Sequence, residues 1–356
     1  MRIVITGASG NLGSALVRRL RADHDHELVG VVRRPPDESF ADITWVAADL
    51  TQDSALPLLR EAFDGADAVV HLAWGFQPSH DLSFLEELGV GGTRRVLASV
   101  KAASVPHLVH MSSVGAYSPK RDDQPVDESW PTRGVPTSPY SQHKAAAERL
   151  LDAHESGANG DSGTVVTRMR PGIVGQRTAG SALLRYGVPG LVPARVLDLV
   201  PVLPMDRRLC IPMVYADDVA DAIARVLERR VGGAFNLAAD PPLTTKVIAE
   251  VLGARPVHVP ARAMRVAMAG SWHARLQQVD PGWLDLGFCV PLLDTSRAAR
   301  ELGWSPSLDA VTVLRETLSG MRDASSDETP VLRRRSVLRQ LGDAVRRGPV
   351  SSRPRP

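Results

Sequence analysis

The sequence predicts an α/β fold in which a doubly wound parallel sheet is followed by a smaller C-terminal lobe. Three observations support this prediction. Short β-branched runs alternate with helical patterns in the first half of the chain, which is typical of βαβ units. A glycine-rich turn joins the first strand to the first helix. After Arg170 the pattern changes, because glycine and proline become frequent through Pro204.

The strands of the first half are short apolar runs bounded by turn residues. They are predicted at Arg2–Thr6, Glu27–Val32, Thr44–Ala48, Ala68–Leu72, Leu108–Ser112 and Val165–Arg170. Apolar residues at helical spacing predict the helices between them. These helices lie around Leu12, Ala15, Leu16 and Leu20, over Leu82–Ala103, and over Pro139–His154 after the cap Ser138. In the second half, strands are predicted at Ile211–Val214, Phe235–Leu237 and Val257–Val259, and a helix at Val219–Arg229.

Composition excludes several classes of protein. Hydrophobic residues make up 44% and charged residues 23% of the chain, which is ordinary for a globular protein. The two cysteines lack metal-ligand spacing, so we expect a reduced, cytoplasmic protein without a metal site. A strand pattern begins at the first residues, which leaves no room for a signal peptide. Arg195 and Asp198 interrupt the most apolar later stretch, so no membrane association is expected.

The net charge of +2 is distributed unevenly. Nine arginines and four acids lie between Met321 and Pro356, so this segment has a charge of +5 and the remainder −3. A nucleic-acid-binding domain would present its basic residues on a folded face, whereas the residues before Met321 have a net negative charge. The alternative is that the arginines form a disordered tail that is attracted to the phosphates of a nucleic acid. Because apolar residues are scarce there, residues 320–356 are predicted to form a basic, mostly disordered tail.

The turn TGASGNLG lies directly after the first strand and directly before the first helix. In such a turn Gly7 permits the tight bend, Gly10 lets the backbone approach a pyrophosphate, and Gly13 lets the helix pack closely on the strand. The helix N-terminus offers N–H groups and partial positive charge to phosphate. The loop therefore predicts a dinucleotide cofactor bound by Gly7, Gly10, Asn11, Leu12 and Gly13 rather than a plain turn.

The end of the second strand normally contacts the adenosine ribose of such a cofactor. An acid there binds a free 2′-hydroxyl, whereas an arginine pairs with a 2′-phosphate. The strand ends ELVGVVRR, which places Arg33 at this position. We therefore expect NADP(H) to be favoured over NAD(H). The alternative is that Arg33 and Arg34 form a solvated pair on the surface.

The segment YSQHK places Tyr140 and Lys144 four residues apart on one helix face. A tyrosine has an ordinary pKa of about 10, and a neighbouring ammonium favours its phenolate. Tyr140 is therefore a candidate acid or base that exchanges a proton with a substrate oxygen, and Lys144 a candidate ligand of the nicotinamide ribose. On its own the pattern is weak, because any helix can contain such a surface pair.

The ordered motifs resemble those of the extended short-chain dehydrogenase/reductase superfamily, in its NAD-dependent epimerase/dehydratase family. TGASGNLG matches the family's T-G-x-x-G-x-x-G, and RMRPGIVG and VYADDVADAI are similar to later family motifs, so the resemblance runs from Met1 to about Arg315. It implies a Rossmann-type fold. It further implies that Ser113, in MSSVGAY, is catalytic with Tyr140 and Lys144, and that Ser113 donates to the substrate oxygen.

The resemblance also implies further cofactor contacts. Asp49 would accept from the adenine amine while Leu50 packs on the ring, and Leu72, Ala73 and Pro171 would line the cofactor. Many relatives dimerise through the helices that contain the Tyr and Lys, so a homodimer is one expected assembly.

Besides Ser118, which follows Tyr117 where a glycine is usual, three positions depart from the family pattern. Gly89 replaces the asparagine of N-V-x-G-T, and Trp74 follows His71-Leu72-Ala73 where a second alanine is usual. Ile211 lies seven residues before Asp218, where nucleotide-sugar enzymes usually have an arginine that clamps the diphosphate. Arg207 and Arg208 are nearby candidates to substitute for it. These features favour a less charged carbonyl or alcohol as the small-molecule substrate.

We therefore predict a dinucleotide-binding domain over residues 1–175, with parts of 205–240 returning to it, and a substrate-binding lobe over 176–319. The first hypothesis is an oxidoreductase that transfers hydride at a carbonyl or secondary alcohol. A nucleotide-sugar epimerase or dehydratase with retained cofactor is the second. An NAD(P)-sensing binding protein is the third, and the intact Ser113, Tyr140 and Lys144 argue against it.

Overall fold

The computed structural model describes residues 1–23, 25–36, 42–75, 79–157, 163–187, 201–327, 329 and 331–332. The strands are β1 (Arg2–Thr6), β2 (Glu27–Val32), β3 (Thr44–Ala47), β4 (Ala68–His71), β5 (His107–Met111), β6 (Val165–Pro171), β7 (Ile173–Gly175), β8 (Val202–Met205), β9 (Cys210–Tyr215), β10 (Gly233–Leu237), β11 (Ala239–Thr244) and β12 (Arg255–His258). The α-helices are α1 (Asn11–Arg21), α2 (Ala55–Phe63), α3 (Leu82–Glu86), α4 (Gly92–Ala102), α5 (Pro139–Glu155), α6 (Gly180–Gly187), α7 (Ala216–Arg229), α8 (Thr245–Leu252), α9 (Ala261–His273), α10 (Pro281–Cys289) and α11 (Ala310–Arg322).

Seven of these strands form one parallel sheet in the order β10-β6-β5-β4-β1-β2-β3. The chain winds outward from β1 to β3 in one direction and from β4 to β10 in the other. This reversal confirms the predicted Rossmann-type, doubly wound α/β fold, in which a ligand binds at the carboxyl ends of the strands on either side of the reversal.

Helices cover both faces of the sheet, and successive residues of β1 show why. Ile3 and Ile5 point into an apolar cluster with α1 and α7, whereas Val4 points into a second cluster with α2, α4 and α5. All three side chains are at most 1% exposed. Parallel strands buried on both faces are apolar at nearly every position, and this is the pattern that the sequence analysis used to predict them.

The helix predicted over Leu82–Ala103 is interrupted in the structure. A π-helical turn, Glu87–Gly91, separates α3 from α4. The turn coincides with the glycines of GVGGT, which weaken helical preference, and the Thr93 hydroxyl donates to the Gly89 carbonyl oxygen at 2.7 Å. Such back-bonding and π turns widen a helix locally. The irregular turn lies beside the end of β4.

The second half of the chain contributes to both parts of the molecule. Helix α7 packs on α1, and β10 adds the edge strand beside β6, so the chain returns here to the main sheet. The lobe contains a three-stranded sheet of β11, β9 and β7, a strand pair of β12 and β8, and helices α8 to α11. None of the helices in the described ranges is long and apolar enough to cross a membrane.

The start of the predicted tail packs on the body, which corrects the expectation of disorder from residue 320. Helix α11 continues to Arg322, and the Ser181 amide donates to the Ser325 carbonyl at 2.8 Å. Leu332 is 1% exposed and lies among Ala179, Ala182 and their neighbours. Small residues on α6 leave room for this apolar side chain, and the sequence pattern does not reveal that space. Residues 333–356 lie outside the described residues.

Candidate active site

The loop between β1 and α1 has the backbone geometry of a phosphate cradle. Gly7 has a φ of +75°, and a Cβ there would lie 2.8 Å from the backbone of Ala73. A Cβ at Gly13 would lie 2.2 Å from the Gly7 carbonyl oxygen, and one at Gly10 would lie 3.1 Å from the same atom. The first turn of α1 has N–H groups without intrahelical acceptors, which suit an anion. The three glycines thus fit a bound pyrophosphate.

Gln176 connects this loop to the lobe. Its Nε2 donates to the Asn11 carbonyl oxygen at 2.8 Å and to Asn11 Oδ1 at 2.5 Å, and its side chain is 2% exposed. Leu12, the next residue, packs against the apolar cluster of α1 and α7. Sequence reasoning missed Gln176, although the residue directly follows RMRPGIVG. Its contacts fix the Asn11 side chain, a predicted cofactor neighbour.

The other predicted cofactor residues lie at the carboxyl ends of the parallel strands. Arg33 follows β2 and is partly exposed. Asp49 Oδ1 accepts from the Thr51 amide at 3.0 Å and from its hydroxyl at 2.8 Å, so one carboxylate oxygen caps a turn. Leu50 is 5% exposed and packs in the cluster with α4. Leu72, Ala73 and Pro171 follow or end β4 and β6. The roles of these residues toward a cofactor stay predictions.

Ser113, Tyr140 and Lys144 meet where β5 ends against α5. The Ser113 hydroxyl accepts from the Gly115 amide at 3.0 Å and lies close enough to the Tyr140 phenol to lower its pKa. A Cβ at Gly115 would lie 2.9 Å from Tyr140 Cε1, so the glycine lets the ring approach the strand end. Lys144 Nζ donates to the Met111 carbonyl oxygen at 2.8 Å. The structure therefore brings the three predicted catalytic side chains together.

Burial is the largest cause of the pKa shifts of Tyr140 and Lys144 on α5. It raises the pKa of Tyr140 to about 12, although the Ser113 hydroxyl opposes this shift. It lowers the pKa of Lys144 well below the ordinary value, and the Glu148 carboxylate opposes that shift. The net pKa of Tyr140 is therefore raised by burial, whereas the sequence predicted that Lys144 would lower it. At neutral pH Tyr140 is a protonated phenol, which is the form that donates a proton to a carbonyl oxygen.

Glu148 ties α5 to the end of β5. Its carboxylate accepts from the Ser112 hydroxyl at 2.5 Å and forms a two-bond ion pair with Arg170, at 2.8 and 2.7 Å. Although burial raises the pKa of Glu148, Arg170 and Ser112 lower it below its ordinary value. Sequence reasoning missed this residue. The available signal was its spacing, because Tyr140, Lys144 and Glu148 follow one another every four residues along one helix face.

Apolar side chains pack beside Tyr140. Trp283 of α10 lies with its ring centroid 4.9 Å from that of Tyr140. Ile211 packs in the apolar clusters of the lobe. Arg208, a candidate replacement for a diphosphate clamp, forms a two-bond pair with Asp206 at 3.2 and 2.9 Å. The guanidinium of Arg208 is thus already paired within the lobe.

Comparison with known proteins agrees with the motifs. A family model described as NAD dependent epimerase/dehydratase family matches residues 3–238. An uncharacterized protein of Mycobacterium tuberculosis is 25% identical over 324 residues, which cover 90% of this chain and 30% of that protein. The chain thus spans less than a third of the length of that relative. A UDP-glucose 4-epimerase of Mycolicibacterium smegmatis is 26% identical over 339 residues, which cover 91% of this chain and 100% of that enzyme.

A solved structure shows the same fold. It is a UDP-glucuronic acid 4-epimerase mutant from Bacillus cereus in complex with UDP-4-deoxy-4-fluoro-glucuronic acid and NAD. It has a TM-score of 0.67 and 18% sequence identity, and the match covers 91% of this chain and 99% of that one. Because the family model spans most of the sheet and its glycine loop, the chain belongs to the NAD-dependent epimerase/dehydratase family.

Proposed function

We propose that the protein is an NAD(P)-dependent oxidoreductase that interconverts a small-molecule carbonyl and its secondary alcohol, with Tyr140 as the acid and base. The observation that supports this proposal is that Ser113 and the protonated Tyr140 phenol meet at the carboxyl end of β5, where Lys144 is bonded to the same strand end. When bound, the nicotinamide cofactor supplies or accepts the hydride. The chain's own residues then manage the oxygen of the substrate and its proton.

In the reduction direction, Ser113 and Tyr140 both donate hydrogen bonds to the substrate carbonyl oxygen. As hydride reaches the carbonyl carbon, the Tyr140 proton passes to that oxygen, and the product is the alcohol. Oxidation reverses these transfers. Lys144 binds the nicotinamide ribose, and its positive charge stabilises the phenolate left on Tyr140.

Single substitutions test these roles in any working carbonyl reduction assay. We expect Tyr140→Phe to lower turnover by about 10²–10⁴-fold, because the transferable proton is lost while the ring volume is kept. Ser113→Ala removes one donor and should cost about 10²–10³-fold. Tyr215→Phe on β9 is the matched control and should keep turnover. Near-normal turnover in Tyr140→Phe would refute the proposed site.

We further propose NADP(H) as the preferred cofactor, because Arg33 follows β2 where the ribose 2′ position of a bound cofactor is read. A charge-assisted pair with a 2′-phosphate contributes about 1.5–3 kcal/mol. Calorimetry with each cofactor should show tighter NADP(H) binding that Arg33→Ala removes. Tighter NAD(H) binding, or a preference unchanged in Arg33→Ala, would contradict it.

The substrate side favours a weakly charged compound. Trp283 and Ile211 offer apolar surface near Tyr140, and Arg208 is paired with Asp206. We infer that the substrate is a small carbonyl or alcohol without a diphosphate, and that no nucleic acid or membrane takes part. A screen of aldehydes and ketones against UDP- and dTDP-sugars tests this inference, and turnover of the sugars alone would overturn it.

An epimerase or dehydratase reaction is the second candidate, favoured by the relative of M. smegmatis that covers nearly the whole chain. In that reaction hydride is removed and returned within one turnover, so the protein would retain its cofactor and show no net change in NAD(P)H. Native mass spectrometry of the purified protein distinguishes the two candidates and also reports whether the chain forms the homodimer that we propose.

A further inference from the structure

Trp74 contacts two of the three side chains of the candidate active site. Its ring centroid lies 3.5 Å from Lys144 Nζ, a cation–π contact. Its ring also meets that of Tyr140 edge-on, with centroids 6.5 Å apart, and that of His110 in the same way at 6.4 Å. One indole therefore contacts the lysine and the tyrosine of the candidate site at once.

Gly89 provides the space for this ring. A Cβ built at Gly89 would lie 2.9 Å from Trp74 Cζ2, 3.0 Å from Cη2 and 3.1 Å from Cε2. Real Cβ atoms are almost never found this close to a neighbour, so any side chain at position 89 would displace the indole. The tryptophan at 74 and the glycine at 89 are therefore two halves of one packing arrangement rather than two independent departures from the family pattern.

The arrangement determines what surrounds the Lys144 ammonium, which has three N–H donors. Among the described residues, the Met111 carbonyl is the one oxygen that accepts from it. Its side chain is 2% exposed, and the charge of Glu148 is shared with Arg170 and Ser112. The face of the indole is thus the second close partner of a charge that burial disfavours.

The other titratable groups that face Lys144 do not supply a compensating charge. The charge of Lys144 lowers the pKa of His71 of β4 and that of His110 of β5, so both imidazoles lie close to the lysine. Burial lowers the pKa of His71 to about 3 and that of His110 well below its ordinary value, so both imidazoles are neutral at neutral pH.

We propose that Trp74 is a positioning residue that holds Lys144 as an ammonium, in place to bind the cofactor ribose and to support Tyr140, with Gly89 as its required partner. This inference rests on the proposed function of Lys144. It predicts that an aromatic face at position 74, and not merely an apolar side chain, is needed for the lysine to bind cofactor.

The test measures NADPH and NADH affinity by fluorescence titration between pH 6 and pH 9, in Trp74→Leu, Trp74→Phe and Gly89→Ala. A desolvated cation–π contact of about 1.4 kcal/mol corresponds to about a tenfold change. We expect Trp74→Leu to weaken binding at pH 7 about tenfold and to lower the pH at which affinity falls by about one unit. Trp74→Phe should restore most of the affinity, and Gly89→Ala should reproduce part of the Leu effect, because its methyl displaces the ring.

Two further variants make the result specific. In a Lys144→Met background, Trp74→Leu should cause little additional loss. Trp130→Leu, which removes an indole stacked 5.3 Å from Arg121, is the matched control and should change cofactor affinity less than about twofold. Should Trp74→Leu not fold, as judged by circular dichroism, the comparison of Trp74→Phe with Gly89→Ala still decides the question.

The proposal is overturned if Trp74→Leu or Gly89→Ala binds cofactor like the wild type across this pH range. It is also overturned if Trp74→Leu weakens binding equally with and without Lys144. These are binding measurements, so they are independent of turnover. A wild-type protein that binds cofactor but reduces no carbonyl would refute the proposed function alone.

Discussion

The ion pair between Glu148 and Arg170 gives the sharpest prediction about stability. Both side chains are almost fully buried, at 2% and 7% exposure, so water cannot replace a lost partner. Glu148→Gln keeps the shape of the side chain and one acceptor oxygen for Ser112, but it removes the negative charge. Arg170 is then left as a buried cation whose remaining acceptors, the Tyr117 hydroxyl and the Glu128 carbonyl at 3.0 Å each, are neutral.

Breaking a buried ion pair from one side costs about 3–5 kcal/mol, because the other charge stays desolvated. The neutral acceptors around Arg170 reduce that penalty, so we expect a loss of about 3 kcal/mol in the free energy of unfolding. Removing both charges in Glu148→Gln/Arg170→Met should cost clearly less than the sum of the two single substitutions, since no buried charge is then left without its partner.

Equilibrium urea denaturation followed by circular dichroism measures these changes. Glu155→Gln is the matched control on the same helix, because Glu155 also pairs with an arginine, Arg168, but is 38% exposed. It should cost less than about 1 kcal/mol. A loss below 1 kcal/mol in Glu148→Gln, or strict additivity in the double variant, would refute the assignment of Glu148 as the buried counter-ion.

Three further predictions concern other parts of the chain. Gly13→Ala should abolish cofactor binding in a titration and lower stability by at least about 1–3 kcal/mol, because its Cβ would collide with the Gly7 carbonyl. Truncation after Arg322 should lower the melting temperature, and Leu332→Ala alone should lower the free energy of unfolding by about 2–3 kcal/mol, since that side chain is buried against α6. An unchanged melting temperature would show that the segment after Arg322 does not stabilise the fold. Stability should also fall as pH decreases from about 6.5 toward 4, because burial lowers the pKa of His71 to about 3 and of His107 to about 4. Between about pH 6.5 and 4 the unfolded chain binds protons at these histidines and the folded chain does not, so at pH 5 each histidine lowers the free energy of unfolding by up to about 2 kcal/mol. Urea titrations of His71→Gln should show part of this pH dependence lost.

Local sequence determined the main sheet and the catalytic helix. The strands β1 and β2 coincide with their predicted bounds, and α5 begins at Pro139 after the cap Ser138 as predicted. These features depend on neighbours within a few residues, such as a continuous apolar run, a capping hydroxyl and four-residue spacing. The glycine spacing of TGASGNLG was equally local, and it identified the loop whose glycines pack against backbone in the structure.

Contacts between residues distant in sequence could be decided only by the tertiary structure. The pairing of Trp74 with Gly89, the ion pair of Glu148 with Arg170, and the docking of Leu332 on α6 each join segments that no periodic pattern links. Ionisation follows the same rule. The sequence indicated that Lys144 would lower the pKa of Tyr140, whereas the burial created by packing raises it. Desolvation depends on what surrounds a group in three dimensions, and sequence spacing contains no measure of it.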